Sequence, residues 1–409
     1  MVRILAMADA GDGLTGTPVP LPDRRVVVSA LGVTQIFAWG STFYLPGVLA
    51  PAIARETGWG YDWVVAGASV ALLVAGLVSP RVGRFIDSHG GRPVLAISAV
   101  LLAAGLAGIG LAPSFPWYLA AWTIAGAGMG AGLYDAAFST LGNIYGATAR
   151  SAITVVTLFG GFASTVCWPL SAYLLEYLGW RNACFVYAAI HLAVSLPLHL
   201  LALPRGRQKN GSTGHVTSSV HLRPGEHLPF AILASVLTIG AAILSAMGTH
   251  LLPLLQARGS DLALAVGLGM IVGPAQVGAR VVEMLAGRHY HPVWTMVASA
   301  TLVAIAPAML LANVPTVALA IALYGAGNGI GTVARGTLPL AIFGADRYAV
   351  FMGRLGLPIM IAMALSPFLT GIALANGGPD WTLAILTALA ITNLVLAAAL
   401  RFWLPAEKP

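Results

Sequence analysis

Apolar residues run in long stretches along this chain, and polar residues are largely confined to the connections between them. A helix crossing a bilayer needs about 20 such residues. The pattern predicts twelve helical spans, over roughly 26–50, 62–82, 94–112, 116–143, 150–173, 180–203, 229–256, 261–286, 293–312, 315–341, 346–375 and 380–403. Sustained alternation of apolar and polar positions is absent, which argues against a membrane β-barrel. The expected fold class is all-α integral membrane with twelve transmembrane helices. One long polar connection, "PRGRQKNGSTGHVTSSVHLRPGEHLP" at 204–229, divides the spans six and six and reads as a linker between halves. The expected organisation is a tail (1–25), a six-helix unit (26–203), a linker (204–228), a second six-helix unit (229–404) and a short tail (405–409). Near the start, "VRILAMADA" has too short an apolar core for a signal peptide, and Met7 is an alternative first residue.

Composition strengthens the membrane assignment. Of 409 residues, 58% are hydrophobic and 9% charged; a soluble domain carries about 25% charged residues. The 48 glycines suit close packing of helices in lipid. A net charge of +7 would fit nucleic acid only if the basic residues formed a patch, and they are instead scattered over short connections. Their distribution sets the topology. With the N-terminus inside, the inner connections hold a series running from Arg24 and Arg25 through Arg81, Arg84, Arg92 and Arg150 to Arg347 and Arg401, while the outer ones hold Arg55, Arg181 and Arg258. This asymmetry predicts a multi-pass protein of the cytoplasmic (inner) membrane with both termini in the cytoplasm. No nucleotide-binding loop of the Walker type is present, and no cofactor or metal is expected.

The halves repeat. A shift of 199 brings Asp62 onto Asp261, Arg81 onto Arg280 and Pro93 onto Pro292, and lays Gly126, Gly128, Gly130 and Gly132 on Gly325, Gly327, Gly329 and Gly331. Between the second and third spans stands "GRFIDSHGGRPVL" at 83–95. With Gly83, Asp87, Gly90 and Arg92 it resembles the loop signature of the major facilitator superfamily, and the twelve spans, linker and parallel repeat extend the resemblance over nearly the whole chain. The second copy, "VEMLAGRHYHPVW", has Ala286 where the aspartate would be, and "LFGGFASTVCWPLSAYL" at 158–174 lacks the glycine-rich pattern of many family antiporters. The style of "QIFAWGSTFYLPGVLA" and "YLGWR" is similar to branches handling monocarboxylates or exporting arsenite. The resemblance implies two six-helix bundles rocking about a central site, a small-molecule substrate, a possible coupling proton, no enzymatic activity, a monomer in the lipid bilayer and, of the two directions, efflux. It also implies that Asp87 meets the positive N-terminal end of the eleventh helix; Arg84 and Arg92 alternatively serve only to set topology.

Charges inside the spans are the candidates for function, because burying one in lipid costs several kcal/mol. Asp135 is the only charge in its span, Arg335 lies in the tenth and Arg354 in the eleventh. At about 1.5 Å per residue, all three sit roughly 9–12 Å from the inner end of their helices. Asp135 and Arg335 are 200 residues apart, close to the repeat. The resemblance makes them partners across a cytoplasmic gate; a proton-carrying role for Asp135 and a fixed structural pair are the alternatives. Arg354 reads as an anion-binding group or a helix-packing one, and Arg280 with Glu283, three residues apart, as a pair at the inner surface.

Gln35, Trp39 and Thr42 share one helical face that can line a cavity, with Tyr44 slightly off it. Asn328, Thr157, Ser164 and Trp168 are further polar candidates. Cys167 and Cys184 can reach similar depth, and thiols suit soft arsenite, although buried cysteine commonly acts as a small apolar residue. The rival readings are a polytopic lipid or prenyl transferase, for which His289 and His291 offer the nearest chemistry, and a receptor that does not transport. The loop charges make one direct prediction: reporter fusions within 204–229 are cytoplasmic and those within 174–180 external, and the opposite pattern in a fusion assay would overturn the topology.

Overall fold

In the computed structural model, residues 23–206 and 222–403 are described. Most of the expected tails and of the linker therefore lie outside the described residues, as does Met7. Every regular element among those described is helical. The first half comprises α1 (Arg24–Gly40), α2 (Pro46–Thr57), α3 (Tyr61–His89), α4 (Gly91–Leu111), α5 (Phe115–Gly132), α6 (Tyr134–Tyr145), α7 (Ala149–Gly161), α8 (Ala163–Ile190) and α9 (Leu196–Ala202). The second comprises α10 (His227–Ala257), α11 (Leu262–Gly269), α12 (Val272–Ala286), α13 (Pro292–Leu311), α14 (Val317–Phe343) and α15 (Ala345–Leu400). Helix occupies each of the twelve expected spans.

Eight helical runs are each long and apolar enough to cross a membrane. Two of them contain a reversal. In α8 the chain leaves helical geometry at Gly179 (φ 77°), and the Tyr187 hydroxyl beyond the turn meets Ser171 Oγ (2.7 Å) before it. In α15 the break is at Gly378 (φ 75°). Positive φ at both positions favours glycine. The interrupted pairs α1–α2 and α5–α6 fall at the first and fourth of the twelve expected spans.

The glycine repeat is a packing device. In the first half Gly126 and Gly130 press on the backbone of Ala71 and Ala75 in α3, while Ser98 of α4 donates to Gly128 O (2.9 Å). In the second half Gly325 and Gly329 press on Val272 and Gln276 in α12, while Ser299 of α13 donates to Gly327 O (2.7 Å). A Cβ on any of these four glycines would sit 2.4–2.7 Å from a carbonyl oxygen. These contacts also correct the sequence alignment. The glycine ridges are related by 199, but their partners are related by 201, so Arg280 is equivalent to Ser79 and not to Arg81.

The halves meet along α3 and α15, α6 and α15, and α7 with α12 and α14. Gly83 of the loop signature packs on Ala349 O and Gly353, and Gly76 lies beside Leu357 and Met360, so α3 and α15 run antiparallel. This register carries Asp87 one turn further, to the start of α15. Gly142 faces Tyr348, and Gly336 faces Phe138 and Ile153. Apart from Gly76, which lies near the middle of α3, these contacts lie toward the end of the molecule bearing the α3–α4 connection. Ion pairs near the opposite end, Glu56 with Arg181 and Arg258 with Asp380, each join residues of one half. At the closed end Arg347 grips Glu226 through two 2.7 Å bonds and holds its carboxyl down at about 2.

A methyl group at residue 83 would lie 2.3 Å from Ala349 O and 3.0 Å from Gly353 Cα. Gly83→Ala is therefore expected to pry this end apart. A cysteine replacing buried Ile153 should be protected from a water-soluble thiol reagent in the parent and become reactive in the Gly83→Ala background; unchanged protection would refute the closure.

Candidate functional site

Asp135 and Arg335 meet directly across the halves. Arg335 Nη2 donates to Asp135 Oδ1 (2.7 Å) and Oδ2 (2.6 Å), and its Nε reaches Oδ1 (3.1 Å). Such a forked contact is both strong and directional. The local fold prepares the acid for it. The chain becomes extended at Leu133, between α5 and α6, which leaves Asp135 in the first turn of α6. A helix N-terminus favours a carboxylate there. Gln35 explains how the break is tolerated, because its Nε2 donates to the freed Gly132 O at 2.7 Å.

Beside the pair lies a cavity of about 130 Å³ between the halves. Trp39, Phe43, Tyr44 and Tyr134 line it from the first half, and Gln276, Arg280, Asn328, Thr332, Arg335, Met363 and Asn393 from the second. Trp39 packs against Tyr134 (5.0 Å between ring centroids) and edge-on to Phe43 (5.6 Å). The break after Gly40 is what delivers Phe43 and Tyr44, and Gly40 is required there because a Cβ would strike Cys167 Sγ. Among the described residues Trp39 Nε1 makes no hydrogen bond, and Asn328 lies beside the Tyr324 hydroxyl.

Arg280 corrects the sequence expectation. It is not part of an inner-surface pair with Glu283. It is 4% exposed, lines the cavity, and donates to Gly329 O (3.1 Å), to Thr157 O in the other half (2.8 Å) and weakly to Thr332 Oγ1 (3.4 Å). All three acceptors are neutral, and among the described residues no carboxylate lies within salt-bridge distance of it. The helix ends at Ala286 as the span predicted, so Arg280 lies six residues, about 9 Å, from its inner end, a depth similar to that of Arg335, and the pairing with Glu283 rested on their spacing alone.

Glu283 is buried for a different purpose. It accepts from Thr295 Oγ1 (2.8 Å) and Tyr290 Oη (2.5 Å), and Arg150 of the first half approaches to 3.7 Å. Arg150 also donates to Tyr290 O at 2.8 Å. The halves are thus joined by two charge contacts of opposite polarity, one with its acid in the first half and one with its acid in the second.

Other candidates fall elsewhere. Arg354 does not line the cavity; its guanidinium lies 5.5 Å from the Phe351 ring centre. Gln35 and Thr42 are buried behind the cavity, Thr42 bonding Ala38 O in its own helix. Thr157 contributes its carbonyl, not its hydroxyl, which bonds Thr154 O. Trp168 is exposed and donates to Tyr44 O (3.3 Å). The side chain of Ser164 lies outside those described. Cys167 and Cys184 are buried free thiols away from the cavity lining. His291 caps α13 by accepting from Val293 N. In the loop signature Gly90 has φ 81°, a turn that favours glycine, and Asp87 and Arg92 are half-buried.

Comparison with known proteins agrees with this architecture. An uncharacterized 38 kDa protein in the 23S RNA operon of Thermoproteus tenax is 35% identical over 164 residues, 40% of this chain. The match spans 43% of that relative, less than half its length. Among solved structures, FucP, a Major Facilitator Superfamily transporter in the outward conformation, superposes with a TM-score of 0.74 at 17% identity, over 93% of this chain and 99% of that one. The human organic anion transporter MFSD10 (TETRAN) does so with a TM-score of 0.71 at 16% identity, over 92% and 100%. The sequence profile of the Major Facilitator Superfamily matches residues 31–289. This chain is a multi-pass membrane protein belonging to the Major Facilitator Superfamily.

Proposed function

We propose that the protein is a secondary transporter of a small anion, working by alternating access between a first bundle (26–203) and a second (229–404). The observation that carries this reading is the charge balance of the cavity. Arg335 is neutralised by Asp135, whereas Arg280 is held only by neutral oxygens. A buried cation without an opposite charge is costly, and an anion entering the cavity relieves that cost. Tyr44, Gln276 and Asn328 supply further hydrogen-bonding groups, and Trp39, Phe43 and Met363 an apolar wall. The site therefore favours a small organic anion with a compact apolar body. The arsenite alternative draws no support from thiols that lie away from the cavity, and arsenite is itself neutral near pH 7.

The Asp135–Arg335 and Arg150–Glu283 contacts act as the inner lock. They join the halves at the end expected to face the cytoplasm, so the described state is inward-closed. Opening this end parts both pairs, and substrate binding must help meet that cost.

Uptake and efflux of a panel of small carboxylates and inorganic anions by proteoliposomes, with and without an imposed proton gradient, test the reading and give the direction of transport. Arg280→Gln should raise the half-saturation concentration of the transported anion by roughly 10–100-fold, the equivalent of one charged hydrogen bond, with a smaller loss of maximal rate. An unchanged half-saturation concentration in well-inserted protein would remove the anion site.

The lock has its own test. Losing one partner of a buried pair costs about 3–5 kcal/mol, so Asp135→Arg and Arg335→Asp should each abolish most transport. The double exchange should recover part of it. Paired cysteines at 135 and 335 should cross-link only while the inner end is closed; equal cross-linking in every state would show a fixed structural pair.

A further inference from the structure

The contact between α1 and the end of the sixth pass carries polar groups that the transport site does not use. His191, Ser195 and His199 are 1%, 1% and 4% exposed. His191 Nε2 lies 2.8 Å from Ser41 Oγ, and His199 Nε2 lies 3.1 Å from Thr34 Oγ1. Among the described residues the remaining groups, Nδ1 of each imidazole and the Ser195 hydroxyl, make no hydrogen bond. Three such orphans in nine residues are unusual, because buried polar groups are almost always paired.

Their chemistry is specified in part. The Thr34 hydroxyl donates to Leu31 O at 3.0 Å. Its single proton is thereby used, so the tautomer of His199 that donates from Nε2 suits this contact. The Leu95 backbone carbonyl also approaches this ring as an acceptor, while Nδ1 makes no hydrogen bond among the described residues.

The helix geometry lines these groups up. Steps of four residues on an α-helix drift around its axis by about 40° each, which would separate residues 191 and 199 by about 80°. The segment His191–Ser195 is instead a π-turn. Its wider i→i+5 closure turns the drift back, so both imidazoles face α1. Leu192, Leu200 and Leu201 occupy the exposed side. Consecutive Cα positions of the file are four residues apart, about 6 Å where the helix is α and less across the π-turn. One water molecule making two hydrogen bonds of about 2.8 Å spans that distance.

We propose that this seam is a binding site for a short chain of ordered water molecules, which link Nδ1 of His191 to the Ser195 hydroxyl and the Ser195 hydroxyl to Nδ1 of His199. Buried waters occupy sites of this kind, offering two or more polar partners each. The chain runs alongside α1 from Thr34 to Ser41, where α1 breaks. The helix that delivers Trp39, Phe43 and Tyr44 to the cavity thus rests on a hydrated file of hydrogen bonds.

The test uses the full chain in lipid nanodiscs with ¹⁵N-labelled histidine, the two imidazoles being assigned by His191→Asn and His199→Asn. Hydration is expected to give through-space cross-peaks from both Nδ1 sites to slowly exchanging water. Ser195→Ala should shift both imidazole signals, although Ser195 makes no hydrogen bond to either ring. Absence of water cross-peaks, with both signals indifferent to Ser195→Ala, would overturn the proposal. If Ser195→Ala does not fold, the cross-peaks of the parent protein decide alone.

Discussion

Hydrocarbon offers no hydrogen bonds, and every backbone polar group in the membrane must find its partner within the protein. The architecture follows from this constraint. Where helices run unbroken the requirement meets itself; where they break, a side chain is supplied. Gln35 covers Gly132 O at the α5–α6 break. Tyr348 donates to Gly336 O (2.6 Å), and Ser245 and Ser366 donate to Met363 O and Ala242 O between α10 and α15. Many of the buried polar residues are thus committed to the backbone and unavailable to a substrate.

Arg280 obeys the same rule and exceeds it. Its guanidinium serves Gly329 O and Thr157 O, yet hydrogen bonds to neutral carbonyls do not cancel its charge. Arg335 is cancelled by Asp135 a short distance away. The difference between these two arginines gives the cavity its proposed preference for an anion. The reversed polarity of the two inner charge contacts fixes how the halves register against each other, because a displacement that parts one pair parts the other.

Close helix approach makes such pairing geometrically available. Gly83 lies against Gly353 between the halves, and the ridges from Gly126 and from Gly325 lie against their own bundles. Backbones in contact leave little room for lipid or water, and the charged side chains sit beside these approaches. The same close packing makes single methyl additions informative as probes.

Hydrophobic run length located the helical spans, because bilayer thickness is a one-dimensional constraint that a sequence records directly. The glycine spacing exposed the repeat for a similar reason, and Asp135 and Arg335 stood out because charge in a long apolar run has few uses. Which groups share a cavity was not legible. Arg280 and Glu283 are neighbours in sequence but serve different halves of the contact, Arg354 turns away from the cavity, and Gln35 supports a backbone break that nothing in its own span announces. His191 and His199 reach the same face of α1 only through a π-turn. These outcomes depend on where each helix ends, how far it rotates and which carbonyl lies opposite. Packing between segments distant in the chain sets those three quantities, and the pattern of any one segment does not contain them.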